Sequence, residues 1–148
     1  MLFKELVEDV KAFGGLPAFV LVIFVFWALG NFKFAAILLA GLLIAFAITV
    51  AIRSIWFRSR PDGTGFNSFL TRLSASSFPS LHATRAALLS SLLAFYFDNL
   101  LISAVLFLCA VCTAWARVFA KRHHTSDVIV GLVIGFALAF VLVRTLLL

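Results

Sequence analysis

Apolar residues run along this chain in five stretches free of charge: Phe13 to Leu29, Phe34 to Ile52, Ala86 to Phe97, Leu100 to Ala116 and Val128 to Val143. A helix needs about 20 residues to cross the hydrocarbon core of a bilayer. The pattern therefore predicts membrane-spanning helices over about 13–29, 34–53, 79–97, 100–117 and 126–145. The third stretch is long enough only if its helix starts near Pro79 and takes His82 and Arg85 into its first turns. Ionisable groups at that depth mark a functional end. Trp27, Trp56 and Trp115 fall at span ends, where indole rings favour the membrane interface.

Ahead of the first span, Leu2, Phe3, Leu6, Val7, Val10 and Phe13 recur at helical spacing, with Lys4, Glu5, Glu8, Asp9 and Lys11 opposite. Residues 1–13 thus read as an interfacial amphipathic helix, turned into the bilayer by Gly14, Gly15 and Pro17. Three acids in the leading segment and the lack of a small-x-small site speak against a cleaved signal peptide, so the first span is expected to be retained. The connections are unequal. Gly30 to Lys33 and Asp98-Asn99 are tight turns, whereas Arg53 to Phe78 is expected to be an extended loop, and Arg117 to Ser126 is a shorter connection on the same face. The expected architecture is all-α: one membrane-embedded domain over residues 1–148, a bundle of about five transmembrane helices.

Composition sharpens this. Only 12% of the residues are charged and 64% are hydrophobic, against roughly 25% charged in soluble domains. A soluble monomer and a disordered chain are both excluded. The net charge of +6 fits loops facing anionic lipid, and nucleic acid is not an expected partner, because no basic run exceeds Lys121-Arg122. Cys109 and Cys112, inside an apolar run, read as inert buried thiols.

With five alternating spans, the polar residues gather on one membrane face in three segments: Arg53-x6-Arg60-Pro61, Pro79-Ser80-Leu81-His82 and Arg117-x5-His123-x3-Asp127. Guanidinium groups suit phosphate oxygens bidentately. Ser80 and the amides near Leu81 would open a helix just after Pro79, and a helix N-terminus attracts anions. Zinc ligands drawn from His82, His123, His124 and Asp127 would sit among Arg53, Arg60 and Arg117, so no metal and no cofactor is expected. One helical turn separates His123 from Asp127, whose carboxylate is placed to accept from Nδ1–H and leave Nε2 as a nucleophile. His82, from another span, is placed to protonate a leaving alkoxide and then deprotonate the water that clears a phosphoenzyme.

Together these segments resemble the signature of the type 2 phosphatidic acid phosphatase family, kin to vanadium haloperoxidases and glucose-6-phosphatase: Lys-x6-Arg-Pro, Pro-Ser-Gly-His and Ser-Arg-x5-His-x3-Asp. The resemblance implies that His123 forms a phosphohistidine, that Asp127 orients it, and that His82 is acid and base. It implies that Arg53, Arg60, Ser80, Leu81 and Arg117 hold the phosphate. Three positions depart from the pattern: Arg53 stands for Lys, Leu81 for Gly and Ala116 for Ser. The first trades an ammonium for a fork, the second is harmless only if no positive φ is needed there, and the third removes a hydroxyl.

Elsewhere the readings are plainer. Arg58, Arg72, Arg122 and Arg144 read as head-group contacts, and His124 as an ordinary interfacial residue. Arg85 is left between the phosphate site and a loop acid. Phe66, Phe69, Leu70, Leu73 and Phe78 read as interfacial packing, with a lipid-tail entrance as the alternative. The expected substrate is a lipid phosphate or diphosphate, such as polyprenyl diphosphate, phosphatidic acid or phosphatidylglycerol phosphate, met in a multi-pass protein of the cell membrane. The oligomeric state is not legible. A catalytically silent scaffold and a small transporter are the competing classes. Thr49, Ser90, Ser91, Ser103 and Thr113 are the uncharged mid-span polar groups that a transporter path would have to use. The basic residues on the active face favour a cytoplasmic site by the positive-inside rule, whereas the resemblance favours the extracytoplasmic side, which we adopt as the expectation.

Overall fold

The computed structural model describes residues 9–147, and over them the chain is helical, with no strand. Residues 9–12 are helical, and the rest of the expected amphipathic segment, 1–8, lies outside the described residues. Then follow α1 (Leu16–Ala28), α2 (Phe32–Ile55), α3 (Phe69–Ala75), α4 (Leu81–Phe97), α5 (Leu100–Phe119) and α6 (Thr125–Leu142). A π-helical turn, Val143–Leu147, extends α6. α2, α5 and α6 with its extension are long and apolar enough to cross a membrane, while α1 and α4 are shorter apolar helices.

Helix ends follow their local chemistry. Asn31 Oδ1 accepts from Phe34 N at 3.2 Å and Asn99 Oδ1 from Ile102 N at 3.0 Å, so both tight turns carry an N-cap. After α5, Lys121 takes a left-handed φ of 54°. Lys121 N bonds Val118 O at 2.9 Å and Arg122 N bonds Arg117 O at 3.1 Å, the double bond pattern that closes a helix and reverses the chain. That reversal brings His123 back beside Arg117. The expected extended loop is only partly so. Residues 69–75 form α3, because Ser68 and Thr71 cap one another reciprocally at its start.

Helix α4 is the hub, with Ala83 to Ser90 all buried and its chief neighbours α5 and α6. Its approach to α6 is set by glycines. A Cβ added at Gly131 would stand 2.6 Å from Ser80 O, and one at Gly135 would stand 2.3 Å from Thr84 O. Small residues one turn apart let helix backbones touch. Both contacts advance by four residues, so α4 and α6 run parallel and begin on the same face. Beneath lies an apolar core around Phe19, Leu38, Leu88, Leu89 and Leu92, each at most 1% exposed. The mid-span hydroxyls are tied to backbone: Ser90 Oγ donates to Leu106 O at 2.7 Å and Thr113 Oγ1 to Val10 O at 3.1 Å. Thr49, Ser91 and Ser103 bond carbonyls four residues back.

Candidate active site

The three segments meet where α4 and α6 begin. Ser80 N donates to Asp127 O at 3.0 Å, which joins the second segment to the third. Ser80 is the residue just before α4, so the amides of Leu81, His82 and Ala83 have no acceptor within the helix. Leu81 is the first helical residue and needs no left-handed backbone, so its place in a Gly position does not distort the turn. His82 lies within electrostatic reach of Arg117, Arg85 and His123.

His123 is 2% exposed. Its Nδ1 lies 2.7 Å from Ser77 O. A carbonyl oxygen only accepts, so Nδ1 carries the proton and Nε2 keeps its lone pair. Arg117, Arg60 and Arg53 all act on this ring. Burial first, then the Arg117 guanidinium, push His123 down to about 4, against the Ser77 hydrogen bond that works the other way. The imidazole is therefore neutral at physiological pH.

Asp127 differs from the expected arrangement. Its Oδ2 is 3.9 Å from His123 Nδ1, too far for a hydrogen bond. The carboxylate instead accepts from Arg58 Nη1 at 2.7 Å and from His124 N at 2.8 Å. A guanidinium and a free helix-terminal amide are stronger partners for a buried carboxylate than a neutral imidazole. The proton that the sequence assigns to Asp127 as acceptor goes to Ser77 O. Arg58, expected at lipid head groups, is the residue that sequence reasoning missed. Its signal was a basic residue two positions from Arg60 in a loop short of acids.

The arginines divide as well. Arg53 donates through Nη1 to Leu73 O at 3.1 Å and through Nη2 to Pro79 O at 2.8 Å, so both termini of its fork hold backbone. Arg60 Nη2 donates to Ser74 O. Arg85 Nε donates to Gly14 O at 3.0 Å and ties the N-terminal turn to α4. Arg122 pairs with Asp62 at 2.8 Å. Among the described residues, four buried side-chain polar atoms have no protein partner: Arg53 Nε, Arg60 Nε, Ser80 Oγ and Arg117 Nε. An unmet buried donor costs on the order of 1–3 kcal/mol, and four such groups on four residues from three segments fit one shared anion.

Among the described residues, no three of His, Cys, Asp or Glu gather as a metal site. Residues 34–147, which include every motif segment, match the PAP2 superfamily. The chain belongs to that superfamily. Two solved structures share the fold of this PAP2 chain. LpxE from Aquifex aeolicus superposes with a TM-score of 0.81 at 20% identity, over 97% of this chain and 86% of that one. A transmembrane PAP2-type phosphatidylglycerolphosphate phosphatase from Bacillus subtilis gives 0.79 at 21% identity, over 95% of this chain and 75% of that one. As a PAP2 member with this helix bundle, the chain is a multi-pass membrane protein.

Proposed function

We propose that this PAP2 protein is a membrane lipid phosphatase that releases the terminal phosphate of a lipid phosphate or diphosphate through a phosphohistidine at His123. The observation that carries the reading is the set of four unpartnered polar atoms, on Arg53, Arg60, Ser80 and Arg117, beside a histidine whose Nε2 is free. Nε2 of His123 attacks phosphorus, the P–O bond to the lipid breaks, and His82 delivers a proton to the departing oxygen. His82 then takes a proton from water, which attacks the phosphohistidine and frees His123 and inorganic phosphate. Arg53 through Nε, Arg60, Arg117, Ser80 and the first amides of α4 hold the equatorial oxygens, where fixed donors stabilise the charge of the transition state. No metal is needed in this scheme.

A lipid is favoured over a soluble phosphate ester by what lies below the arginines. A cavity of about 250 Å³, lined by Phe46, Val50, Arg53, Leu70, Leu73 and Leu81 among others, runs down the last turns of α2 under α3. Arg53 sits at its polar end and Phe46 two turns deeper, so a hydrocarbon chain parallel to α2 would present its phosphate to the cluster. By the family's habit, we place this site on the extracytoplasmic face.

The test is phosphate release by purified protein from a panel of lipid mono- and diphosphates, with vanadate, EDTA and His123→Ala arms. Turnover inhibited by vanadate, indifferent to EDTA and lost in His123→Ala is expected. Loss with EDTA, or full activity of His123→Ala, overturns the mechanism. A folded protein silent on the whole panel favours a scaffold.

A further inference from the structure

Arg58 stands outside the motif positions, yet it closes a ring around the nucleophile. Its Nη1 donates to Asp127 Oδ1 at 2.7 Å and to Ser126 Oγ at 2.7 Å. Its own carbonyl accepts from Ser77 N at 2.8 Å. Ser77 O in turn accepts from His123 Nδ1 at 2.7 Å, and Asp127 Oδ2 lies 3.9 Å from that same nitrogen. Arg58 thus bonds the far oxygen of the carboxylate through its side chain and anchors the Ser77 segment through its backbone, while the oxygen nearer Nδ1 is held by the His124 amide.

We propose that Arg58 is a positioning residue for His123: it keeps the Asp127 carboxylate turned off the imidazole and the Ser77 carbonyl against it, so that Nε2 faces the phosphate. The proposal rests on the assignment of His123 as nucleophile. Its physical basis is the isolation of Asp127, which has no exposed surface. The groups around the ring are Arg117 from α5, Arg53 from α2, Arg60 from the loop, His82 from α4 and Asp127 from α6. Asp127 is the one acid among them. With Arg58 and the His124 amide both bonded to it, its charge is met without the imidazole. Remove the guanidinium, and a buried carboxylate is left with one open oxygen and His123 Nδ1 within a side-chain rotation. The carboxylate then accepts from Nδ1–H, displaces the Ser77 bond and turns the ring, so that Nε2 no longer faces the phosphate and the protonated form of the ring gains a charged partner.

The experiment compares Arg58→Gln and Arg58→Lys with the wild-type full chain in detergent micelles. It reads the His123 titration by ring nitrogen NMR and phosphate release against pH. In Arg58→Gln the His123 midpoint is expected to rise by about one pH unit or more, as an opposite charge at this distance requires. The acid limb of kcat/KM moves with it. A ring displaced by even about 1 Å lowers kcat by about tenfold or more, while KM stays within about threefold because the phosphate donors are untouched. Arg58→Lys keeps the charge and loses the fork, so it shows a smaller shift in the same direction and carries the test if the Gln variant does not fold. In an Asp127→Asn background, Arg58→Gln is expected to leave the midpoint in place. An unmoved midpoint in Arg58→Gln and Arg58→Lys, or a shift that persists without the carboxylate, overturns the proposal. The midpoint is read without turnover, so a wild-type protein inert toward lipid phosphates would defeat the proposed function and leave the Arg58 result standing.

Discussion

Gly135→Ala adds one methyl group where α6 meets α4, and its consequence can be worked from distances. The new Cβ would stand 2.3 Å from Thr84 O, 2.7 Å from Ala87 Cβ and 3.0 Å from Leu88 N. None of these atoms sits at the end of a flexible side chain. Ordinary contact begins near 3.4 Å, so the helices must part by about 1 Å to restore van der Waals separation. The Ser80 N to Asp127 O bond, now 3.0 Å, lies about one turn up the same contact and would stretch beyond hydrogen-bond range. Overpacking of this kind costs about 1–3 kcal/mol, offset in part by about 1 kcal/mol of helix propensity gained by replacing glycine. Displacing the two segments of the site by about 1 Å is worth on the order of a hundredfold in rate. The control is Gly41→Ala, where the nearest atoms, at 3.0 and 3.2 Å, are the terminal methyls of Leu142 and Leu88, which can rotate away. Thermal unfolding in detergent and phosphate release should show Gly135→Ala less stable and nearly inactive, with Gly41→Ala close to wild type. A Gly135→Ala protein as stable and active as Gly41→Ala would refute the backbone contact between α4 and α6 as what assembles the site.

Three further outcomes are expected. The nucleophile must be unprotonated and His123 is pushed down to about 4, so it stays competent as pH falls through 6 and 5, and the acid limb of kcat/KM should lie near pH 4; a limb near 6.5 contradicts the burial of His123. Arg53→Ala should lose stability by about 2 kcal/mol or more as well as activity, because it strands the carbonyls of Leu73 and Pro79, whereas Arg117→Ala should cut kcat/KM by about a hundredfold with little change in melting temperature; equal melting losses would contradict the division of roles. With Cys109 and Cys112 replaced, Asp98→Cys in the turn opposite the site should escape impermeant thiol reagents in intact cells, and ready labelling would place the site on the cytoplasmic face.

Much of this protein is written in its charge-free stretches. Boundaries such as Asp98-Asn99 were legible because the apolar run stops at a capping residue, and the meeting of Ser80, His123 and Asp127 follows from counting spans. α3 was hidden because seven residues carry little periodicity, and only the reciprocal Ser68–Thr71 cap marks its start. Gly131-x3-Gly135 was visible in the sequence, but its partner helix was not, and only the packing shows that it faces Ser80 and Thr84. The expected hydrogen bond between Asp127 and His123 is absent for a different reason. The expected helix starts near His123, whereas α6 begins at Thr125 and leaves His123 ahead of it, and spacing cannot show that Arg58, from a loop remote in sequence, competes for the same carboxylate. Arg53 illustrates the same limit, since its charge suggests a phosphate ligand, while its fork termini hold the backbone of Leu73 in α3 and of Pro79 and only Nε is left without a protein partner.

The central claim, covalent catalysis at His123, is tested most directly by trapping the enzyme during turnover of a lipid substrate labelled in its terminal phosphate. Rapid denaturation in alkali, which spares phosphohistidine, followed by peptide mass spectrometry should find the label on His123, with none in His123→Ala. Turnover with the label on another residue, or a His123→Ala protein that still releases phosphate at the wild-type rate, would contradict the account.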